Sequence, residues 1–353
     1  MAGGRCTGGR GAGGCGAVRA GATSGSAAPV TGAVPAAGSV AGNSSGKAHR
    51  ASVTLPFLLP RDRSGRTRRA GPPLRPKNDP RSRNLATFAP DRGVRFRIWG
   101  CGASSVAMML DDDPAAYGDA FADVYDDWYS TISDVEATVE TVLDLAAGGP
   151  ILELGVGTGR LGIPLARRGA KVCGIDASTA MLDILSAKPG SIGVDTVRAD
   201  MAALPLAGRF AVAFVAFNTF FNLLTELDQQ RCAQEVARNL APNGCFVVEA
   251  FVPSAEPAGI SDGQAERSDG VGGLVVTTTR RDPASQTVRG VHTHTDASGS
   301  VRERPWAIRY LHPHQLDELC RGAGLELEHR WAGFDRAGFD AETDRHVSIY
   351  RLA

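Results

Sequence analysis

The stretch Ile151-Leu152-Glu153-Leu154-Gly155-Val156-Gly157-Thr158-Gly159-Arg160 decides how the chain is read. Its first four residues are an apolar-rich run too short for a helix, which reads as a buried strand. The strand runs into three glycines at alternate positions. Glycine lets a backbone turn tightly and come close to a ligand, and ligands of open α/β sheets bind outside the carboxyl ends of the strands. A dinucleotide loop of the form G-x-G-x-x-G needs glycine at the sixth position, where Arg160 stands. An acidic residue two places before the first glycine, Glu153, suits a ligand that offers an ammonium or other donors better than it suits a pyrophosphate.

Outward from this loop, strand and helix signals alternate. Upstream, Tyr117, Phe121, Val124, Tyr125 and Trp128 recur at helical spacing, predicting one amphipathic helix with an aromatic face. Ser133 to Glu136 reads as a capping box that opens a second helix, stopped by Gly148-Gly149-Pro150. Downstream, helices are expected over Gly159–Arg168, Ser178–Ala187 and from Thr225 to Leu240. Strands are expected over Lys171–Ile175, Gly193–Arg198, Phe210–Phe217 and Cys245–Ala250. This rhythm predicts an α/β fold, a Rossmann-like doubly wound sheet, mostly parallel and covered on both faces. After Phe251 the rhythm changes. Residues 254–271 read as a polar loop, and Leu274–Thr279, Thr287–Asp296 and Arg302–Tyr310 as a small antiparallel meander. A helix over His312–Gly322 and a closing antiparallel pair, Leu325–Ala332 with His346–Arg351, complete the pattern.

Three more sites fall at the same edge of the sheet. Asp176 ends the second strand, 21 residues after Gly155, where its two oxygens can accept from both hydroxyls of a ribose. That feature alone equally fits a nicotinamide dinucleotide. Asp200-Met201 follows the third strand; a carboxylate beside a flexible thioether suits an adenine. The fourth strand ends in Phe217-Asn218-Thr219-Phe220-Phe221-Asn222, whose two asparagines are hard to assign to packing.

With these residues in place, the sequence resembles the class I S-adenosylmethionine-dependent methyltransferases. ILELGVGTGR resembles their first motif, VCGIDAS the acidic-loop motif, RADMAALPL the adenine motif, and FAVAFVAFNTFFNLL the fourth-strand motif. RNLAPNGCFVVEAF is similar to their turn into strand five, with Asn243 where glycine is usual. The resemblance covers about residues 111–353 and is closest to small-molecule enzymes with an antiparallel insertion after strand five. It implies S-adenosylmethionine as methyl donor. It implies that Glu153 and the backbone of Gly155, Gly157 and Gly159 hold the methionine part. Asp176 would take the ribose, with Ala177 and Met181 nearby, Asp200 and Met201 would bracket the adenine, and Phe217 and Asn218 would sit beside the sulfonium. Tyr117, Tyr125 and Tyr129 would close over the cofactor, with Tyr125 and Asn218 at the reacting centre. An ordinary helix core face is the plainer account of the tyrosines.

Within the insertion, 254–310, the part from about Gly272 to Tyr310 is expected to build the acceptor pocket for a small polar molecule, methylated on N or O. It carries Arg280, Arg281, Arg289, His292, His294 and Arg309. Arg309 is the residue expected to grip the acceptor, because alternation turns it away from Ile308 and Tyr310. His292 with His294, or His312 with His314, could ligate a metal, but no carboxylate or cysteine cluster joins them, and no metal is expected. Two other readings are an NAD-dependent oxidoreductase and a non-catalytic S-adenosylmethionine-binding regulator. Arg160 and Asp200 speak against the first.

Composition frames these expectations. The chain has 353 residues and a formal net charge of +0. Residues 1–107 hold 17 Lys+Arg against 3 Asp+Glu, or +14, which leaves 21 against 35, or −14, for the rest. The first segment has no apolar periodicity and is expected to be disordered. A nucleic-acid tail, a transit peptide, a linker, and a start mis-assigned upstream of Met108 or Met109 are its competing readings. The domain, 108–353, is too acidic to favour nucleic acid as partner. No apolar run of about 18 residues exists, so no membrane-spanning helix is expected. The odd number of cysteines without C-x-x-C spacing points to buried thiols in a reducing, cytoplasmic setting.

Overall fold

The strand Ile151–Leu154 (β1) is buried at all four positions, so it must lie at the centre of a sheet covered on both faces. The computed structural model describes residues 113–130, 132–254 and 259–353. The expected disordered segment 1–107 lies outside the described residues. On either side of β1, in parallel, run Val172–Asp176 (β2) and Phe210–Val215 (β4). Val194–Arg198 (β3) extends the sheet beyond β2, and Leu240–Phe251 (β5) extends it beyond β4, both again parallel. Arg345–Leu352 (β11) pairs antiparallel with β5, and Leu325–Trp331 (β10) antiparallel with β11. The order is β10-β11-β5-β4-β1-β2-β3. Alternation along the strands splits the core in two. Leu152, Leu154, Ala213 and Val215 pack on one face with Phe220 and Phe246, while Ile151, Val212 and Phe214 pack on the other with Val139 and Val142.

Among the described residues, seven α-helices and a second sheet complete the frame that positions the site. Ala116–Phe121 (α1), Tyr125–Tyr129 (α2) and Val135–Ala146 (α3) precede β1. Gly162–Arg167 (α4) follows it, and Thr179–Ala187 (α5) follows β2, capped by the Ser178 hydroxyl accepting from the Met181 N–H. Glu226–Asn239 (α6), capped by Thr225, joins β4 to β5, and Pro313–Gly322 (α7) precedes β10. The second sheet is four-stranded: Ser261–Ser268 (β6), Leu274–Asp282 (β7), Thr287–Thr295 (β8) and Val301–Arg309 (β9), all antiparallel.

Several expectations are corrected here. The aromatic helix over 117–128 is two short helices. The break falls at Asp123, whose carboxylate receives Arg302 at 2.7 Å and Arg304 at 2.8 and 2.9 Å from β9. Asp134, not Ser133, caps α3 by accepting from the Ala137 N–H, and the Ser133 hydroxyl is taken by Arg160. The polar loop over 254–271 contains β6, so the meander has four strands. Of the four described cysteines, three are buried, but Cys173 is only half-buried. Among the described residues no helix is long and apolar enough to cross a membrane.

The strand-to-loop junction at β2 is packed to its limit. A Cβ on Gly174 would stand 2.7 to 2.9 Å from three carbons of Val156, inside the glycine loop. Gly174→Ala is therefore expected to cost about 1–3 kcal/mol of stability, read as a lower urea midpoint; an unchanged midpoint contradicts this packing.

Candidate functional site

The glycine loop is held by backbone and carboxylate together. The N–H groups of Gly155 and Val156 both donate to the Ile175 carbonyl, at 2.7 and 2.9 Å. Gly157 donates to Asp176 Oδ2 at 2.8 Å, and Ser178 donates to Asp176 Oδ1 at 2.9 Å. Gly155 sits at φ +70°, and a Cβ there would stand 2.4 Å from Thr219 Cγ2, so only glycine fits. Burial, with Asp119 nearby, pushes the Asp176 carboxyl up, against the pull of its backbone donors. Asp119 in turn accepts from the Ser178 hydroxyl at 2.5 Å, which ties α1 to the start of α5.

Beside this loop lies a cavity enclosing about 650 Å³ of space, part of it open to solvent. Gly155, Gly157, Asp176, Ala177, Met181, Asp200 and Met201 all line it, as do Tyr117 and Tyr125. Seven residues expected at a cofactor thus converge on one space, although they come from three different strand ends. Glu153 and Gly159 stand behind the wall instead. Gly159 faces Ile163 and Leu185, and Glu153 faces the backbone of Gly162. Glu153 Oε2 has no hydrogen-bond partner among the described residues. Burial pushes its carboxyl up to about 8, with Arg160 pulling it down and Asp176 adding to the rise.

A second cavity, enclosing about 770 Å³ of space that is also partly open to solvent, adjoins the first and shares Tyr117, Tyr125, Thr219 and Asn222 with it. Phe217 and Asn218 line this one, at the end of β4. Both residues have left-handed backbones, at φ 45° and 63°, which is costly for a side chain as large as Phe. Three bonds hold the turn: Phe217 N–H to Glu249 Oε2 at 2.8 Å, Asn218 N–H to the Glu249 carbonyl, and Phe251 N–H to Asn218 Oδ1 at 2.7 Å. Tyr129, Phe251, His292, Trp306 and Ile308 complete the lining. Burial pushes the Tyr125 hydroxyl up to about 12, so it stays a neutral donor.

Arg309 is the clear correction. Trp306 and Ile308 face the second cavity, while Arg309 reaches α6, bonding Gln229 Oε1 and Glu226 Oε2. The lining is aromatic rather than basic, because the arginines of the second sheet are spent elsewhere; Arg281, for example, donates to the Tyr310 hydroxyl. Thr219 and Asn222 belong to the segment expected at the ligand edge after the fourth strand, whereas Phe251, Trp306 and Ile308 were not foreseen as lining residues and nothing in the sequence marked them.

Comparison with known proteins gives the following. The family described as "Methyltransferase domain" matches residues 151–244. The solved CcbJ methyltransferase from Streptomyces caelestis is 38% identical, with 68% of this chain and 99% of that one covered and a TM-score of 0.64. A cypemycin N-terminal methyltransferase from a Streptomyces species is 32% identical over 151 residues, 41% of this chain and 59% of that protein. A demethylmenaquinone methyltransferase from Thermobifida fusca is 33% identical over 158 residues, 41% of this chain and 65% of that protein. The match therefore spans less than two thirds of these last two relatives.

Two outcomes test the site. Glu153 has a raised carboxyl, so the folded state holds its proton more tightly than the unfolded state. Its contribution to stability is best at low pH and is lost as pH rises from about 4.5 toward about 8. Glu153→Gln should therefore gain melting temperature over the parent increasingly between pH 5 and pH 8; a gain that shrinks with pH contradicts the assignment. Arg309→Ala should lower stability by about 1–2 kcal/mol through its lost bonds to α6. It should leave affinity for cavity ligands within about twofold, and a large loss there would restore Arg309 to the site.

Proposed function

The chain belongs to the class I S-adenosylmethionine-dependent methyltransferases, and on that premise we propose that it transfers the methyl group to a nitrogen or oxygen of a small molecule. The observation that carries this reading is the pair of adjoining cavities with a shared wall at Tyr117, Tyr125, Thr219 and Asn222. Methyl transfer from a sulfonium is a direct displacement, and the donor already carries the activation. The protein's task is to align nucleophile, methyl and sulfur. A cofactor in the first cavity would present its methyl through the shared wall to an acceptor in the second.

In this reading each residue has a physical task. Asp176 takes the ribose hydroxyls. Its two oxygens each accept one backbone N–H and keep lone pairs for the sugar. Asp200 and Met201 lie on either side of the adenine, with Ala177 and Met181 filling the space beside the ribose. The Gly155–Gly157 backbone receives the methionine end, and Glu153 lies behind that turn beside the Gly162 backbone. Tyr125, Phe217 and Asn218 surround the methyl. A chain starting at Met108 is expected to keep the melting temperature and cofactor affinity of the full chain, and loss of either would contradict this.

The direct test is calorimetry with S-adenosylhomocysteine. Asp176→Ala removes the shared acceptor of two hydroxyls, at a cost of roughly 1.5–3 kcal/mol, or about ten- to hundredfold in affinity. Wild-type affinity in a folded variant would contradict the assignment.

A further inference from the structure

Among the described residues, the second cavity is lined by one titratable side chain besides its tyrosines, and that side chain is histidine. His292, on β8, is 3% exposed, and its Nδ1 lies 2.6 Å from Thr277 Oγ1 on β7. Phe121 and Trp128 meet the ring edge-on at centroid distances of 5.5 and 6.0 Å, and Trp306 lies 5.8 Å away. The ring is thus fixed on three sides. With Nδ1 engaged, Nε2 has no hydrogen-bond partner among the described residues and is left for an occupant of the cavity. The Thr277 hydroxyl can donate to Nδ1 or accept from it, so Nε2 can serve as acceptor or donor.

The charges around this histidine are one-sided. No carboxylate and no cation lines the second cavity among the described residues. Behind the lining, Arg267 of β6 lies 4.3 Å and Arg304 of β9 5.6 Å from the Trp128 ring. The nearby carboxylates are already engaged: Asp123 by Arg302 and Arg304, Asp269 by His294 at 3.0 Å. Burial, then Arg267 and Arg304, hold the His292 ring down at about 4, which keeps it neutral. A bound donor would add a sulfonium at the shared wall. A cationic occupant would find no counter-charge there, and burying an unpaired charge is costly.

We propose that the second cavity binds the acceptor as an uncharged amine carried on an apolar, ring-sized body, with the amine N–H donated to Nε2 of His292. The inference rests on the methyltransferase reading and names its acceptor class. An amine suits the site better than a hydroxyl, because an alcohol must lose a proton to become a good nucleophile and His292 is too weak a base to take it. In the amine, the N–H bond to Nε2 leaves the nitrogen lone pair free to face the methyl. That lone pair forms the N–CH3 bond while the C–S bond breaks and its electrons stay on sulfur. The positive charge passes from sulfur to nitrogen, the proton stays on the product ammonium, and no other reactant is needed.

The test uses the full chain saturated with S-adenosylhomocysteine and titrated calorimetrically between pH 7 and pH 9. The probes are 4-benzylpiperidine, the matched 4-benzylcyclohexanol, and the quaternary N,N-dimethyl derivative of the amine. Amine affinity should rise about tenfold per pH unit, following its neutral fraction. Binding of the alcohol should stay flat, and the quaternary ion should not bind. His292→Phe should lose about tenfold in amine affinity at pH 9 while S-adenosylhomocysteine affinity stays within about twofold. Thr277→Val should show a smaller loss. Amine binding that is flat, absent, or tighter at low pH overturns the proposal, as does binding of the quaternary ion or an indifferent His292→Phe. Failure of S-adenosylhomocysteine to bind the parent chain would overturn the underlying methyltransferase reading, and this inference with it. The wild-type arms stand even if the variants fail to fold.

Discussion

The bond from the Gly157 N–H to the Asp176 carboxylate is the constraint around which the site is arranged. A tight glycine turn leaves backbone donors pointing at the end of the sheet, and buried donors must be satisfied. Asp176 satisfies one of them and, through its other oxygen, the Ser178 N–H at the start of α5. Ser178 then donates to Asp119 of α1, and two residues beyond α1 Asp123 is clasped by Arg302 and Arg304 of β9. Two sets of polar bonds, joined by the chain of α1 itself, therefore link the glycine loop to the second sheet. This linkage acts through the positions of Asp119 and Asp123. It sets the aromatic helices over the carboxyl ends of the strands and so divides the space into two cavities.

A second constraint acts from the other side. The turn at Phe217-Asn218 is costly for the bulky Phe217 and persists because the buried Glu249 and the Phe251 N–H bind it from β5. Strain of this kind is kept where the surroundings over-determine it. Its effect is to bring Phe217 and Asn218 into the second cavity, next to Thr219 and Asn222 on the shared wall. The walls of the two cavities thus have separate supports, a carboxylate on β2 and another on β5.

The sheet and the first cavity were largely legible in the sequence because both depend on local signals. Strand length, glycine spacing and the position of acids at strand ends are properties of short segments. Ser261–Ser268 was not legible as a strand, because it carries no large apolar residue and pairs on one side only. Arg309 shows a different limit. Alternation correctly set it opposite Ile308, but which face meets the cavity depends on how the second sheet docks, and the cavity lies on the Ile308 face. Glu153 is a third case: its place two residues before Gly155 is visible, but not whether its carboxylate enters the cavity or supports the loop from behind.

The central claim is that one cavity takes the donor and the adjoining one takes the acceptor. A crystal structure of the chain with S-adenosylhomocysteine tests it most directly. The account predicts ribose hydroxyls on Asp176, adenine between Asp200 and Met201, and the thioether sulfur open toward Phe217 and Asn218 through the shared wall. A nucleoside lying in the second cavity, or a sulfur facing away from it, would contradict the account.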